Sequence, residues 1–336
     1  MGQLITVGIT GQSGFMGTHL YNFLGTKSEK IDRLNFQDSY FDNEVDLQNF
    51  VKSCDVIVHL AAMNRHEDEQ VIYNTNIELV KKIINACEAT NSTPKIIFSS
   101  STQEEKDNLY GKSKRDGRKY FEAWAIKNSC RVLSLIIPNV FGPFGKPFYN
   151  SFIATFSCQI IAGEQPTIIN DSTVNLTYIN ELSQVFYDKI LDEGNEDINS
   201  YLVPHTSSRK VSEILDLLKE FKIQYLENGQ VPKVDLNSFE LDLFNTFTSF
   251  IPKDYFPIKF TNHTDERGAF VEIMRAGSPG QTSYSTTIPG ITRGNHYHTR
   301  KIERFAVISG KALIQIRKID SDEVFEYILD GAEPAY

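Results

Sequence analysis

The strongest constraint on this chain is an alternation in its first half. Short uninterrupted apolar runs, LITVGIT (4–10), DVIVHLAA (55–62), KIIFSSS (95–101) and RVLSLIIPNVFG (131–142), recur along it. Between them lie longer stretches with apolar residues at helical spacing: THLYNFLG, IYNTNIELVKKIINACEA (72–89) and YGKSKRDGRKYFEAWAIK (110–127). A strand that is apolar on both faces must be covered on both, and helices inserted between successive strands supply that cover. The pattern therefore predicts an α/β domain with a doubly wound parallel sheet. It loosens over 144–230, where two apolar helices are expected around NSFIATFSCQIIAG and VSEILDLLKEFK as a substrate-side lobe. Beyond Pro257 short β-rich runs (FVEIM, TSYSTTI, RFAVISG, KALIQIRKI, EVFEYIL) follow one another without helices, which predicts an antiparallel β barrel or sandwich. The expected division is a domain over 1–230, a connection over 231–256 and a second domain over 257–336.

Composition excludes several classes. With 34 Lys and Arg against 43 Asp and Glu the chain carries a net charge of −9, so the cationic footprint of a nucleic-acid binder is missing. The four cysteines have no CxxC spacing, which argues against a disulfide framework or a thiolate zinc knot. Neither a secretory leader pattern nor an apolar stretch of about 18 residues is present. The expectation is a soluble, cytoplasmic protein with no membrane partner.

Gly11-Gln-Ser-Gly14-Phe-Met-Gly17 closes the first run and opens the first helix. Gly11 permits a tight turn, Gly14 lets backbone approach a pyrophosphate, and Gly17 lets helix and strand pack closely. The helix N-terminus offers unpaired N–H groups to phosphate. The second strand, about IDRLNF (31–36), ends on Asn35 instead of the carboxylate that usually marks NAD. NADPH is accordingly the expected cofactor, with Asp38 close enough to leave NAD open. Asp55, opening the third run, reads either as an adenine contact or as a turn residue.

Tyr110 and Lys114 lie four apart on one helical face. An ammonium beside a phenol favours the phenolate and is expected to lower its pKa toward neutrality. Two further Tyr-x-x-x-Lys matches are decoys: Tyr255–Lys259 contains a proline, and Tyr297–Lys301 lies in the β-rich region. Only Tyr110 follows a strand ending in Ser99-Ser100-Ser101, whose last hydroxyl is placed to hydrogen-bond a substrate oxygen.

TGQSGFMG (10–17), HLAA (59–62), SSS (99–101), YGKSK (110–114) and PNVFGP (138–143) together resemble the extended short-chain dehydrogenase/reductase family, a Rossmann-type family acting largely on nucleotide sugars. The resemblance implies that Ser101 and Tyr110 polarise the reacting carbonyl and that Lys114 holds the ribose. It also implies a cofactor cradle of Gly11, Gly14, Phe15, Gly17, Leu60, Ala61, Ala62 and Ser99, with Asn139 beside the nicotinamide and Asn150 helping to hold the nucleotide-sugar. On their own residues, Asn139 also reads as a turn residue, Asn150 as an N-cap and Arg65 as either a diphosphate partner or a surface arginine.

The second domain has its own signal, Gly290-x5-His296-x-His298-x4-Glu303-x6-Gly310. On a strand, His-x-His points both imidazoles to one face, and a glutamate on the next strand completes three legs of a divalent-metal site, zinc being expected. The spacing resembles the first motif of cupin barrels, and DERGAFVE (265–272) with GITRGNH (290–296) resembles the hexulose 3,5-epimerases, where the histidine at the His296 position is a base. His296 cannot be both a free base and a metal ligand. The later cupin motif does not follow, so an incomplete barrel with impaired epimerase activity is expected.

The combination resembles the bifunctional reductase–cupin family of capsular polysaccharide and O-antigen assembly. That implies a homodimeric enzyme with a UDP-linked 4-keto deoxyaminosugar as substrate. Two readings compete with it: an epimerase or dehydratase that retains NAD, and a regulatory or scaffold protein that senses NADP(H).

Overall fold

The computed structural model describes residues 4–192, 194, 198–276, 280–297, 303–318 and 321–333. Two units emerge, Met1–Lys259 with Met274–Gln281, and Phe260–Ile273 with Thr282–Tyr336.

In the first unit the elements run β1 (Ile5–Thr10), α1 (Phe15–Gly25), β2 (Ile31–Leu34), α2 (Glu44–Lys52), β3 (Val56–His59), α3 (Glu69–Thr90), β4 (Lys95–Ser101), α4 (Leu109–Asn128), β5 (Val132–Ile137), β6 (Asn139–Phe141), α5 (Phe152–Ile161), β7 (Thr173–Tyr178), α6 (Ile179–Leu191), β8 (Ile198–Leu202), β9 (Ser207–Lys210), α7 (Val211–Phe221), β10 (Gln230–Val231) and α8 (Phe239–Thr248). The central sheet is parallel throughout, in the order β2-β1-β3-β4-β5-β8. β1 is flanked by the strands that follow it on either side, so the order reverses there and leaves a crevice at its carboxyl end, where such sheets bind ligands.

The apolar runs became these strands because both faces are buried. Leu20, Leu24, Leu182 and Phe186 of α1 and α6 cover one face with Val7, Ile9, Val58 and Leu135. Leu47, Val80, Ile83, Phe121 and Trp124 of α2, α3 and α4 cover the other with Ile57, Ile96 and Phe98. Burial at about 25 cal/mol per Å² of apolar surface makes these two layers the main stabilising contribution. A smaller sheet, β6-β7-β9, carries a third core in which Phe141, Leu176, Ile214, Leu218, Leu243 and Phe247 are buried. That core includes α8, which falls within 231–256: Phe239 and Leu243, four apart, face inward together with Phe247. No helix among the described residues is long and apolar enough to cross a membrane.

The second unit is β in character. β11 (Asn262–Asp265) pairs antiparallel with β12 (Gly268–Ala276), β13 (Gln281–Ser285) lies beside β12, and β14 (Lys311–Arg317) forms an antiparallel pair with β15 (Val324–Asp330). The expected antiparallel architecture is thus present as separate sheets. RFAVISG (304–310) departs from expectation: among the described residues it joins no ladder, and its Phe305 and Ile308 are exposed. β-branched and aromatic composition favours a strand only where a neighbouring strand completes the hydrogen bonds.

Candidate active site

Gly11 adopts φ +70°, and a Cβ there would stand 2.8 Å from backbone N and Cα of Ala61. A Cβ on Gly17 would fall on the Gly11 carbonyl and lie 2.7 Å from Gln12 Cα. The first position therefore needs both the left-handed conformation and the missing side chain. Thr10 fixes the neighbouring segment: its hydroxyl pairs with His59 Nδ1 at 2.9 Å and accepts from Ala61 N at 3.4 Å. Leu60, Ala61 and Ala62 are thereby drawn alongside the glycine turn. α2, α3, α4, α5 and α8 each begin with a side-chain cap, from Asn43, Asp68, Asn108, Ser151 and Ser238. α1 begins at Gly14 with none, as α6 does at Tyr178, but unlike α6 it has no acidic residue in its first turn. An uncapped helix start above a glycine cradle suits a dinucleotide pyrophosphate, so these residues fit a nicotinamide dinucleotide.

At the adenosine end Asn35 accepts a hydrogen bond from Gln12 Nε2 (2.9 Å), and Gln12 Oε1 accepts from Phe36 N (3.0 Å). Ser13 donates to Asp38 at 2.7 Å, which brings a carboxylate to the glycine turn from beyond β2. Gln12 and Ser13 occupy variable positions inside the glycine motif and carry no signal of their own in the sequence. Asp55 is a correction. Its carboxylate accepts from Thr6 N at 2.8 Å, at the amino end of β1 and so at the opposite edge of the sheet from the glycine turn. A residue that opens a parallel strand lies one strand length away from the carboxyl-end crevice, so Asp55 is a turn residue and not an adenine contact.

Tyr110 lies in the first turn of α4, Lys114 one turn later and Ser101 at the end of β4. Lys114 is buried, donates to the Ser99 carbonyl at 3.0 Å, and stands 5.8 Å from the Tyr110 ring centre and 5.3 Å from that of Phe98. Ser99 in turn donates to the His59 carbonyl (3.0 Å), tying β4 to β3. Ser101 Oγ accepts from Gln103 N at 3.2 Å and opens a single turn over Thr102–Glu105. A Cβ on Gly111 would strike the Gln103 carbonyl, so this glycine lets α4 press against that turn. Of the constellation read from the sequence, Tyr110 and Lys114 share one face of α4, and Ser101 ends the strand whose Ser99 carbonyl holds Lys114.

Its electrostatics differ from expectation. Burial, with the neighbouring Tyr149 phenol adding to it, pushes Tyr110 up to about 12. Burial pulls Lys114 down to about 8, against an opposing pull from Glu104. Desolvation penalises both charged forms more than their mutual attraction favours them. The phenol consequently holds its proton, which suits a donor. His59, stacked on Phe98, is pulled by burial and by Lys114 down to about 3, so its imidazole is neutral, and its Nε2 has no hydrogen-bond partner among the described residues.

Asn139 is exposed and donates to the Asn175 carbonyl at 3.3 Å. Asn150 is exposed one residue ahead of Ser151, and it is Ser151 that caps α5. Arg65 Nη1 donates to the carbonyls of Phe148 (3.2 Å) and Tyr149 (2.9 Å), so it pins the loop that brings Tyr149 near Tyr110. Asn76 is a further residue that belongs to no motif. It bonds Met63 N (2.7 Å) and O (3.1 Å) and Ser113 Oγ (2.9 Å), and Ser113 donates to the Tyr110 carbonyl (2.7 Å). A polar residue within the apolar stripe Ile72, Ile77, Val80 was the available signal.

In the second unit His296 is exposed within a segment, 291–297, that has no strand, and Glu303 is also exposed. His298 lies outside the described residues. The strand geometry on which the His-x-His expectation rested is therefore absent at His296. Among the described residues no group of three or more His, Cys, Asp or Glu could hold a metal ion, and the expected zinc site has no assembled donor set there.

Residues 7–198 match the NAD dependent epimerase/dehydratase family, and residues 263–336 match the polysaccharide biosynthesis C-terminal domain. The chain belongs to the NAD dependent epimerase/dehydratase family, whose fold binds a nicotinamide dinucleotide. Its similarity to particular proteins runs through both units. It is 33% identical over 328 residues to a UDP-2-acetamido-2,6-beta-L-arabino-hexul-4-ose reductase of Pseudomonas aeruginosa, covering 96% of this chain and 86% of that one. The crystal structure of the capsular polysaccharide assembling protein CapF from Staphylococcus aureus matches with a TM-score of 0.84 at 31% identity, over 98% of this chain and 88% of that one. The resemblance to reductase–cupin proteins drawn from the sequence is borne out.

Proposed function

We propose that the first unit is an NADPH-dependent UDP-sugar 4-ketoreductase. Its substrate would be UDP-2-acetamido-2,6-dideoxy-hexos-4-ulose and its product UDP-2-acetamido-2,6-dideoxy-L-talose, on the path to UDP-N-acetyl-L-fucosamine. The observation that carries this reading is the Tyr110 phenol one helical turn from Lys114, whose amine is held by the Ser99 carbonyl near the end of β4, in a sheet with a glycine cradle. NADPH, when bound, supplies the hydride. Tyr110 holds the proton that goes to the sugar oxygen, and the Ser101 hydroxyl donates a hydrogen bond to the same oxygen. The Lys114 ammonium, 5.8 Å from the Tyr110 ring centre, is the cation that would stabilise negative charge on the phenol as that proton leaves. Gly11, Gly14 and Gly17 admit the pyrophosphate; Asn35 in place of a carboxylate favours the 2′-phosphate form, and the Asp38 carboxylate held by Ser13 at the glycine turn opposes it. Similarity to a reductase acting on a UDP-linked hexul-4-ose supports the choice of substrate.

A dehydratase would need a free acidic group beside the serine. Here the nearest buried carboxylate, Glu104, is fully engaged by Arg118 and Ser100, which disfavours that alternative. The C3 epimerisation implied for the second unit, with His296 as base, would need a metal-free imidazole, and no group that could hold a metal ion is found among the described residues. The test is to incubate the protein with the 4-keto UDP-sugar and NADPH or NADH and to follow the product by proton NMR. Reduction at C4 with NADPH is expected, and a sugar left unreduced with either nucleotide refutes the reading.

A further inference from the structure

Glu104 is a buried carboxylate that the reaction does not use, and it stands at the junction of the pieces that do the chemistry. It lies in the Thr102–Glu105 turn directly after Ser101. Ser100 donates to its Oε1, so the carboxylate is bonded to the strand that delivers Ser99 and Ser101. Arg118 grips it from α4 with Nε 3.2 Å from both oxygens and Nη2 2.8 Å from Oε2, while Arg118 Nη1 bonds Glu122 at 2.9 Å. Arg118 lies one turn beyond Lys114 on the same helix, so strand end, turn and catalytic helix are cross-braced at one point.

We propose that Glu104 is a positioning residue for the reductase site, clamping the Ser101 turn onto α4 through Arg118 and serving as the anionic counterpart of the Lys114 ammonium. The proposal rests on the reductase reading of Tyr110 and Lys114. The groups facing the Lys114 amine are the Ser99 carbonyl on β4, the Tyr110 phenol on α4, the His59 imidazole on β3 and Glu104 on the turn. The phenol keeps its proton and the imidazole is neutral, so Glu104 supplies the negative charge in that set. Replacing it with glutamine keeps the shape and removes the charge. Replacing Arg118 with glutamine leaves the carboxylate less neutralised and acts in the opposite sense.

The test follows the Lys114 side-chain carbon resonance against pH in lysine-labelled protein, assigned by its loss in Lys114→Met, together with the high-pH limb of kcat. The midpoint of about 8 in the parent is expected to move down by about one pH unit in Glu104→Gln and upward in Arg118→Gln, with the kcat limb following each. A brace with no electrostatic role would lower melting temperature in both variants and leave the midpoint fixed. An unmoved midpoint in either folded variant, or a shift in the same direction in both, overturns the proposal. Should Glu104→Gln fail to fold, the Arg118→Gln titration decides alone. The titration needs no sugar, so opposite shifts in a protein that leaves the 4-keto sugar unreduced would uphold Glu104 and refute the substrate.

Discussion

Lys114→Met tests whether the buried ammonium is held at a cost to the fold. Lys114 is 5% exposed, and burial pulls it from 10.5 to about 8. At about 1.4 kcal/mol per pKa unit, keeping it charged in the native state costs about 3 kcal/mol at neutral pH. Methionine fills a similar volume without charge but leaves the Ser99 carbonyl short of one donor, a loss of about 1 kcal/mol. The net expectation is a stabilisation of about 2 kcal/mol, which for a unit of this size raises the melting temperature by about 4–8 °C. The sign with pH follows from the depressed pKa. Between about 8 and 10.5 the unfolded chain binds the proton that the native chain has released, so the parent gains stability as pH rises through that window. The advantage of Lys114→Met should therefore be full at pH 7 and vanish above the upper limit, while ketone reduction is lost throughout. Thermal unfolding of both proteins across this range is the assay. A variant less stable than the parent at pH 7, or an advantage that does not change with pH, refutes the reasoning.

Tyr110→Phe removes the proton donor and keeps the ring, so kcat should fall about 10²–10⁴-fold while nucleotide affinity, read by fluorescence titration, is retained. Gly11→Ala places a Cβ 2.8 Å from Ala61 backbone at φ +70°, and should weaken nucleotide binding more than tenfold by the same titration, with loss of about 1–2 kcal/mol in unfolding. Arg65→Ala releases the carbonyls of Phe148 and Tyr149, and should raise KM for the sugar while leaving KM for the nucleotide unchanged in steady-state assays.

The parallel sheet was legible because burial on both faces leaves an apolar run that no other element explains as well: LITVGIT, DVIVHLAA and KIIFSSS each supply a strand of the sheet, while RVLSLIIPNVFG divides at Pro138 into β5 of that sheet and β6 of the smaller one. The glycine turn and Tyr110–Lys114 were legible for a related reason: both are local, and their geometry follows from a spacing within one helix or one turn. Asp55 was ambiguous because its part depends on which edge of the sheet it occupies, and that is set by strand direction, not by neighbouring residues. His296 was placed on a strand from a period-two pattern, but a strand forms only when a partner completes the ladder, and pairing over long separations leaves no mark in a single run. Arg65 and Asn76 act through residues 13 to 84 positions away and Glu104 through Ser100 and Arg118, 4 and 14 positions away, so side-chain type alone gave no indication of their partners.

The pKa values invert the simplest account of a Tyr-x-x-x-Lys pair, in which the lysine makes the phenol acidic. With the Lys114 amine directed at a backbone carbonyl and the Tyr110 phenol half-buried, desolvation dominates, and the resting phenol is a weaker acid than free tyrosine. That is useful for a reductase. A donor protonated across the physiological range needs no prior proton uptake, and its acidity has to rise only as charge develops on the sugar oxygen. An oxidising enzyme that uses the same pair needs the phenolate at rest and would require more positive charge near the ring. In this site Glu104 contributes charge of the opposite sign.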